Sequence, residues 1–187
     1  MGHLFSLGLL LGSACSTSTT PTVVISEVMS NNGGSHLDED GDAADWIELH
    51  NTGDSPASLQ GWGITDDSGN PFKWTLPYVV IAPGEQLILY ASDKDKRNPS
   101  EPLHTNFRIK ATGEELMLTS TDAVLVDRVE LPPTSADISW GRDIHDPSNW
   151  VYFHRPSPGQ PNSPDGWTHP LEGATDSPSL QISEFLV

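Results

Sequence analysis

From Val23 onward the apolar residues come in short runs punctuated by Gly, Pro, Asn and Asp, and this punctuation constrains the fold more than any other feature. Each stop has its own cause: proline lacks a ladder donor, glycine admits positive φ, and Asn and Asp bond their own backbone. With 16 Gly and 16 Pro in 187 residues, the segments between stops have strand length rather than helix length. Candidate strands are Val23–Met29, Trp46–His50, Leu59–Thr65, Phe72–Leu76, Gln86–Ala91, Asn106–Ile109, Glu115–Leu118, Ala123–Glu130, Ile138–Gly141 and Trp150–Phe153.

Several of these alternate. Ile47 and Leu49 share one face while Trp46, Glu48 and His50 take the other, and Leu87 and Leu89 oppose Ile88 and Tyr90. The one competitor for a helix is Glu114–Leu131, which lacks Gly and Pro. Its middle, Thr119-Ser120-Thr121-Asp122, is polar on every face, so a hairpin fits better than an amphipathic helix. Many short strands at this spacing predict an all-β sandwich or barrel.

Charge narrows the partners. Nine Lys and Arg against 26 Asp and Glu give a net charge of −17. Such a surface repels phosphate backbones and anionic lipid, which argues against direct nucleic-acid binding. A single cysteine, Cys15, rules out an internal disulfide framework.

Residues Leu4 to Ala14 form an apolar run too short to span a bilayer but of signal-peptide size. Leu11-Gly12-Ser13-Ala14-Cys15 then resembles a bacterial lipobox, with Cys15 as the lipidated residue. Residues 1–14 are therefore expected to be a signal peptide and 15–22 a polar tether. The expected location is outside a bacterium, secreted or held as an outer-surface lipoprotein, with the membrane reached only through Cys15. At the other end, residues 163–179 read as a Pro-, Ser- and Gly-rich linker. Ile182-Ser183-Glu184-Phe185-Leu186 echoes Ile25-Ser26-Glu27-Val28-Met29, so residues 180–187 read as the start of a second copy of the domain.

Between these ends, a set of segments occurs in a telling order. It runs Val-Val-Ile-Ser-Glu-Val at 23–28, an acidic loop into Asp45-Trp46-Ile47-Glu48-Leu49-His50-Asn51, then Leu59-Gln60-Gly61-Trp62-Gly63-Ile64-Thr65-Asp66 and Ile81-Ala82-Pro83-Gly84-Glu85. His104-Thr105-Asn106-Phe107, Gly113-Glu114-Glu115-Leu116, Ser139-Trp140-Gly141-Arg142 and Ser157-Pro158-Gly159-Gln160-Pro161-Asn162 complete it. Residues 23–162 thereby resemble the lamin-tail domain family. The resemblance implies an immunoglobulin-like β-sandwich used as a binding or spacing module. In bacteria such domains are secreted or surface-attached and are often joined to enzymes such as CotH-like kinases or nucleases. Trp46, Trp62 and Trp74 are expected in the core, with Gly61 and Gly63 permitting close backbone approach.

The sharpest cluster of potential ligands is Asp38-Glu39-Asp40-Gly41-Asp42-Ala43-Ala44-Asp45. Closely spaced carboxylates suit Ca²⁺, which takes six to eight oxygens, and Asp38, Asp40, Asp42 and Asp45 are the candidate ligands. The EF-hand pattern is absent, because a loop starting at Asp38 puts Ala43 at the glycine position and Leu49 at the bidentate-Glu position. The competing reading is a solvated acidic turn that caps the strand at Trp46. Asp66-Asp67-Ser68-Gly69-Asn70 reads as a hairpin turn and Asp93-Lys94-Asp95-Lys96-Arg97 as an exposed loop. His104, His145 and His154 lack zinc-site spacing, and no G-x-S-x-G elbow or P-loop occurs. The expectation is a non-catalytic module with an unidentified protein or glycan partner. The alternative is an accessory domain of an enzyme encoded beyond residue 187.

Overall fold

A computed structural model describes residues 23–169. The expected signal peptide, Cys15, the tether, the latter part of the linker and the second-copy segment lie outside those residues.

The described chain is all strand and turn. Twelve strands follow in order: β1 (Val23–Met29), β2 (Asp45–Asn51), β3 (Ala57–Ser58), β4 (Gly63–Thr65), β5 (Trp74–Thr75) and β6 (Val80–Ile81), then β7 (Gln86–Ala91), β8 (Leu103–His104), β9 (Glu115–Thr119), β10 (Leu125–Glu130), β11 (Ser139–Arg142) and β12 (Trp150–Phe153). A six-stranded sheet has the order β12-β11-β1-β2-β7-β8, and a four-stranded sheet the order β10-β9-β4-β5. β3 and β6 form a small separate ribbon. Pairing is antiparallel except between β7 and β8. This is the immunoglobulin-like sandwich that the strand pattern and the resemblance predicted.

The core lies between the two large sheets. Ile25, Val28, Ile47, Leu49 and Leu89 from one meet Ile64, Trp74, Leu116, Leu118 and Val129 from the other. The predicted alternation of Ile47 and Leu49 against Trp46 and Glu48 holds. Trp46 is fully buried on the opposite face, where Met29, Ala44 and Tyr90 form a second cluster. Trp74 is in the main core and Trp62 packs against it. Glu114–Leu131 is a hairpin, with a turn in which Ala123 holds φ 59°.

Two expectations are corrected. Leu59–Thr65 is not one strand, because Gly61 at φ 77° lets the Trp62 N–H bond the Leu59 carbonyl and turns the chain. The following strand starts at Gly63, where an added Cβ would sit 2.2 Å from the Pro71 carbonyl oxygen. Asn106–Ile109 alternates as expected, with Phe107 and Ile109 buried, but forms only an isolated bridge between Ser92 and Arg108. The strand of that region is β8, just upstream.

β1 is interrupted at Ser26, where the register with β2 shifts. The displaced Ile25 N–H donates to Asp127 Oδ2 of β10 at 2.7 Å, tying the two sheets together. Arg142 completes the latch: Nη2 donates to both Asp127 oxygens at 2.9 Å and Nε to the Ile25 carbonyl at 2.9 Å. This gives Ser139-Trp140-Gly141-Arg142 a physical reason. Gly141 is required there because an added Cβ would lie 3.0 Å from the Ser26 carbonyl oxygen. Past β12, the described part of the expected linker returns to the sheet. Trp167 and Tyr152 exchange backbone hydrogen bonds at 2.7 and 2.8 Å.

Candidate functional site

Two groups of carboxylates stand out, one in loops and one on the open face of the six-stranded sheet. The loop group begins with Asp38. Its buried Oδ1 accepts the N–H groups of Asp40 and Asp42 at 3.0 and 2.9 Å, folding the acidic loop around itself. Gly41 supplies the turn at φ 84°.

The loop after β7 meets this one. Lys94 Nζ lies 2.6 Å from Asp38, 2.7 Å from Asp40 and 2.8 Å from Asp42. Lys96 Nζ lies 2.6 Å from both Glu39 and Asp40. Asp93 and Asp95 take positive φ, 67° and 50°, and the Asp95 N–H donates to the Thr105 carbonyl, so this loop is shaped rather than splayed. The run 93–97 is therefore a clasp, although the sequence suggested a solvated loop.

The electrostatics follow from the geometry. Burial works to raise the Asp38 pKa, but the Lys94 ammonium and the N–H groups of Asp42 and Asp40 outweigh it and hold it low. Burial likewise opposes the Lys96 ammonium and the His104 ring at Glu39, and these two partners prevail, holding its pKa low. Lys94 and Lys96 hold Asp40 at about 2. The three carboxylates in turn push the Lys94 pKa above its ordinary value, against the effect of burial. Lys94 is therefore a fixed cation.

His104, fully buried on β8, closes one side. Its Nδ1 is 2.7 Å from Ser92 Oγ and its Nε2 is 3.0 Å from each Glu39 oxygen. Tyr90 stacks on its ring at 5.0 Å and on His36 at 5.9 Å. Potential metal-ligand atoms gather here twice, in Asp38–Glu39–His104 and in Asp38–Asp40–Asp42, each set within 4.8 Å. Of the four carboxylates expected from the sequence, Asp38, Asp40 and Asp42 come together and Asp45 does not. Asp45 instead accepts the Asn32 N–H at 2.9 Å, and burial raises its pKa against the pull of that N–H and of Arg108. Glu39, Lys94, Lys96 and His104 were missed. The available signal was the facing of two oppositely charged runs, 38–42 and 93–97.

The second group is Glu27 and Glu48, directly opposed across β1 and β2 on the outer face. Both are fully buried under the segment 155–162. Ser139 Oγ donates to Glu27, as do the N–H and hydroxyl of Ser157. Ser26 Oγ donates to Glu48 at 2.6 Å and the Gly159 N–H at 2.8 Å. Asn162 pins the segment by donating to the carbonyls of Ser26 and Arg142. The run Ser157–Asn162 is thus a clip over two buried acids. Burial raises Glu27 although its three donors oppose the shift. Burial, aided by Glu27, pushes Glu48 to about 7. Beside the clip, a cavity of about 530 Å³ is lined by Val24, Glu48, His50, Arg142 and Ile144 among others.

A family model described as Lamin Tail Domain matches residues 16–132. The chain belongs to the lamin-tail domain family. Membership makes it an immunoglobulin-like structural domain. The family match ends before β11, yet β11 and β12 of this lamin-tail domain complete the six-stranded sheet and carry the Arg142 latch. No match was found among curated proteins.

Proposed function

We propose that this chain is a non-catalytic extracellular module of a bacterial surface or secreted protein, one that binds a protein or glycan partner or spaces other domains apart. The observation that carries the reading is the clasp between residues 38–42 and 94–96. Among the described residues, a dense collection of ionisable side chains is committed to joining two loops, with Asp38, Glu39 and Asp40 held charged with the help of lysines. Groups held in that way brace a scaffold, and the acid raised to about 7, Glu48, is fully buried with both oxygens bonded to Ser26 and Gly159, out of reach of a substrate. Residues Leu4–Ala14 ahead of Cys15 support export.

Fractionation of cells producing the full chain tests the location. Protein in the membrane pellet that moves to the medium on Cys15→Ser supports the anchored form, and retention of the wild type in the cytosol overturns export. Domain context tests the alternative, an accessory role beside a CotH-like kinase or nuclease: a catalytic domain encoded after Val187 would favour it.

Calcium enters this reading as a competitor of Lys94. A Ca²⁺ ion at Asp38, Asp40 and Asp42 has to displace the ammonium that all three already contact. Calorimetric titration of Ca²⁺ into chelator-treated protein is expected to give little heat and no rise in melting temperature. Saturable heat with a raised melting temperature would make the loop a cation site.

A further inference from the structure

The large apolar side chains that this fold leaves in solvent are not scattered. Among the described residues they are Leu37, Tyr78, Val80, Val124, Leu125 and Ile144. All but Leu37 lie at one end of the sandwich, the end at which the chain enters β1. There Val23 pairs with Asn51, whose Nδ2 donates to the carbonyls of Ser55 and Ile81 and so fixes the β3–β6 ribbon, with Val80, beside it. The Leu59 N–H donates to the Val79 carbonyl and the Gly61 N–H to the Leu76 carbonyl, which brings the turn at Tyr78 against residues 59–61. A Cβ on Gly61 would lie 3.2 Å from Thr121 Cγ2, so the tip of the β9–β10 hairpin, with Val124 and Leu125, is next in line. Ile144 shares a cavity lining with Val24. Leu37 sits at the other end, ahead of the Asp38 that Lys94 holds in the clasp.

Tether length and charge say what covers the Val23 end. Seven residues, 16–22, separate Cys15 from Val23, and fully extended they reach about 25 Å. β1 has seven residues and is itself about 20 Å long. A chain anchored at Cys15 therefore presents the Val23 end to the bilayer and holds the clasp away from it. The loops of that end, 52–58, 77–85, 120–124 and 143–149, contain no Lys or Arg, but they do contain Asp54, Glu85, Asp122, Asp143 and Asp146. Attraction to anionic lipid is thus absent, and the contact left is apolar. Tyr78, with an aromatic body and a polar tip, suits the bilayer interface, and the aliphatic side chains suit the boundary just below the headgroups.

We propose that this end of the domain docks on the surface of a zwitterionic bilayer through Tyr78, Val80, Val124 and Leu125, with Ile144 at the margin. This docking rests on the anchored form of the function proposed above. Five side chains give a free domain marginal binding, and the tether supplies the rest by keeping them at high effective concentration beside the membrane. The domain then stands upright with its acidic clasp outward.

The test couples the full chain through Cys15, its one cysteine, to a maleimide lipid in phosphatidylcholine vesicles and, as a control, to maleimide-polyethylene glycol. Coupling places residue 15 at the bilayer whether or not cells lipidate it, so docking is judged apart from export, which the fractionation judges. Amide hydrogen exchange is then compared between the two forms. Docking for about four-fifths of the time slows exchange about fivefold in 77–81 and 121–125 and leaves 36–42 unchanged. Adding phosphatidylglycerol should reduce the slowing, because the acids of this end are then repelled. Tyr78→Ser and Leu125→Ser, both at exposed positions, should each weaken the slowing, and together abolish it, at an unchanged melting temperature. Leu37→Ser should leave it intact. Equal exchange in the two forms would overturn the proposal, as would slowing at 36–42. Slowing in the polyethylene-glycol form that grows with protein concentration would assign this end to a second copy of the chain and overturn it too.

Discussion

The clasp and the clip are two answers to the same problem, which is how to hold carboxylates close together in a folded chain. In the clasp the answer is an ammonium: Lys94 contacts three aspartates and Lys96 a glutamate and an aspartate. In the clip the answer is burial with neutral donors, from Ser26, Ser139, Ser157 and Gly159. The pKa shifts accordingly run in opposite directions. In the clasp Asp38, Glu39 and Asp40 fall below their ordinary values, Asp40 to about 2, and in the clip Glu27 and Glu48 rise, Glu48 from 4.5 to about 7. A lowered carboxyl contributes stability above its unfolded value that is lost as pH falls through the folded value. A raised carboxyl contributes fully below its unfolded value and loses that contribution as pH rises through the folded one. The two regions therefore limit the domain from opposite sides, with the best pH between about 4 and 5.

The largest expected effect tests the clip. Glu48 is fully buried, and a rise from 4.5 to about 7 corresponds to about 3 kcal/mol lost between pH 4.5 and pH 8. Glu48→Gln keeps the shape and removes the titration. Its melting temperature should equal or slightly trail that of the wild type at pH 4.5 and exceed it at pH 8. A wild type whose stability does not decline across that interval would break the comparison at once.

Next comes the clasp. Lys94→Met keeps most of the stem but leaves the buried Asp38 with only its two backbone donors. Loss of a charged partner from a buried acid should cost about 2 kcal/mol at pH 7. That cost should shrink as the medium is acidified toward pH 3, because the freed carboxylates then neutralise. The same variant should gain a Ca²⁺-dependent rise in melting temperature that the wild type lacks, since three oxygen ligands no longer face an ammonium. Chemical denaturation at pH 3, 5 and 7, with and without Ca²⁺, reads both effects.

How far these regions were legible follows from the range of the interactions. Alternation at Ile47 and Leu49 is local, and it placed Glu48 on the outer face with Trp46 correctly. That a segment more than a hundred residues later covers that face is a matter of topology, so the buried pair Glu27–Glu48 was not visible. A glutamate inside each apolar strand was the only hint. In the clasp, closely spaced aspartates were conspicuous, but their counter-ions come from the loop after β7, and no local pattern pairs Asp38 with Lys94. Short ladders were the remaining loss. β6 has two residues and gains its identity from pairing with β3, while Asn106–Ile109 has the right alternation without a partner strand.

Asp45 carries the smallest effect and the most pointed one, because sequence and structure assign it to different regions. By position it closes the acidic run, yet it has no lysine, it accepts the Asn32 N–H at 2.9 Å, and burial raises its pKa. Physically it resembles Glu48 more than Asp40. Replacing it by Asn keeps an acceptor for the Asn32 N–H, removes the desolvated charge and gives up a long-range attraction to Arg108. The first effect on stability is nil and the other two oppose each other, so the net change at pH 7 should lie within about 0.5 kcal/mol and be weakly stabilising. Asp40→Asn, by contrast, removes a partner from both Lys94 and Lys96 and should lower the melting temperature at pH 7. If Asp45→Asn destabilises as Asp40→Asn does, Asp45 belongs with the clasp. The division of these acids by the presence of an ammonium would then have to give way to one based on their place in the chain.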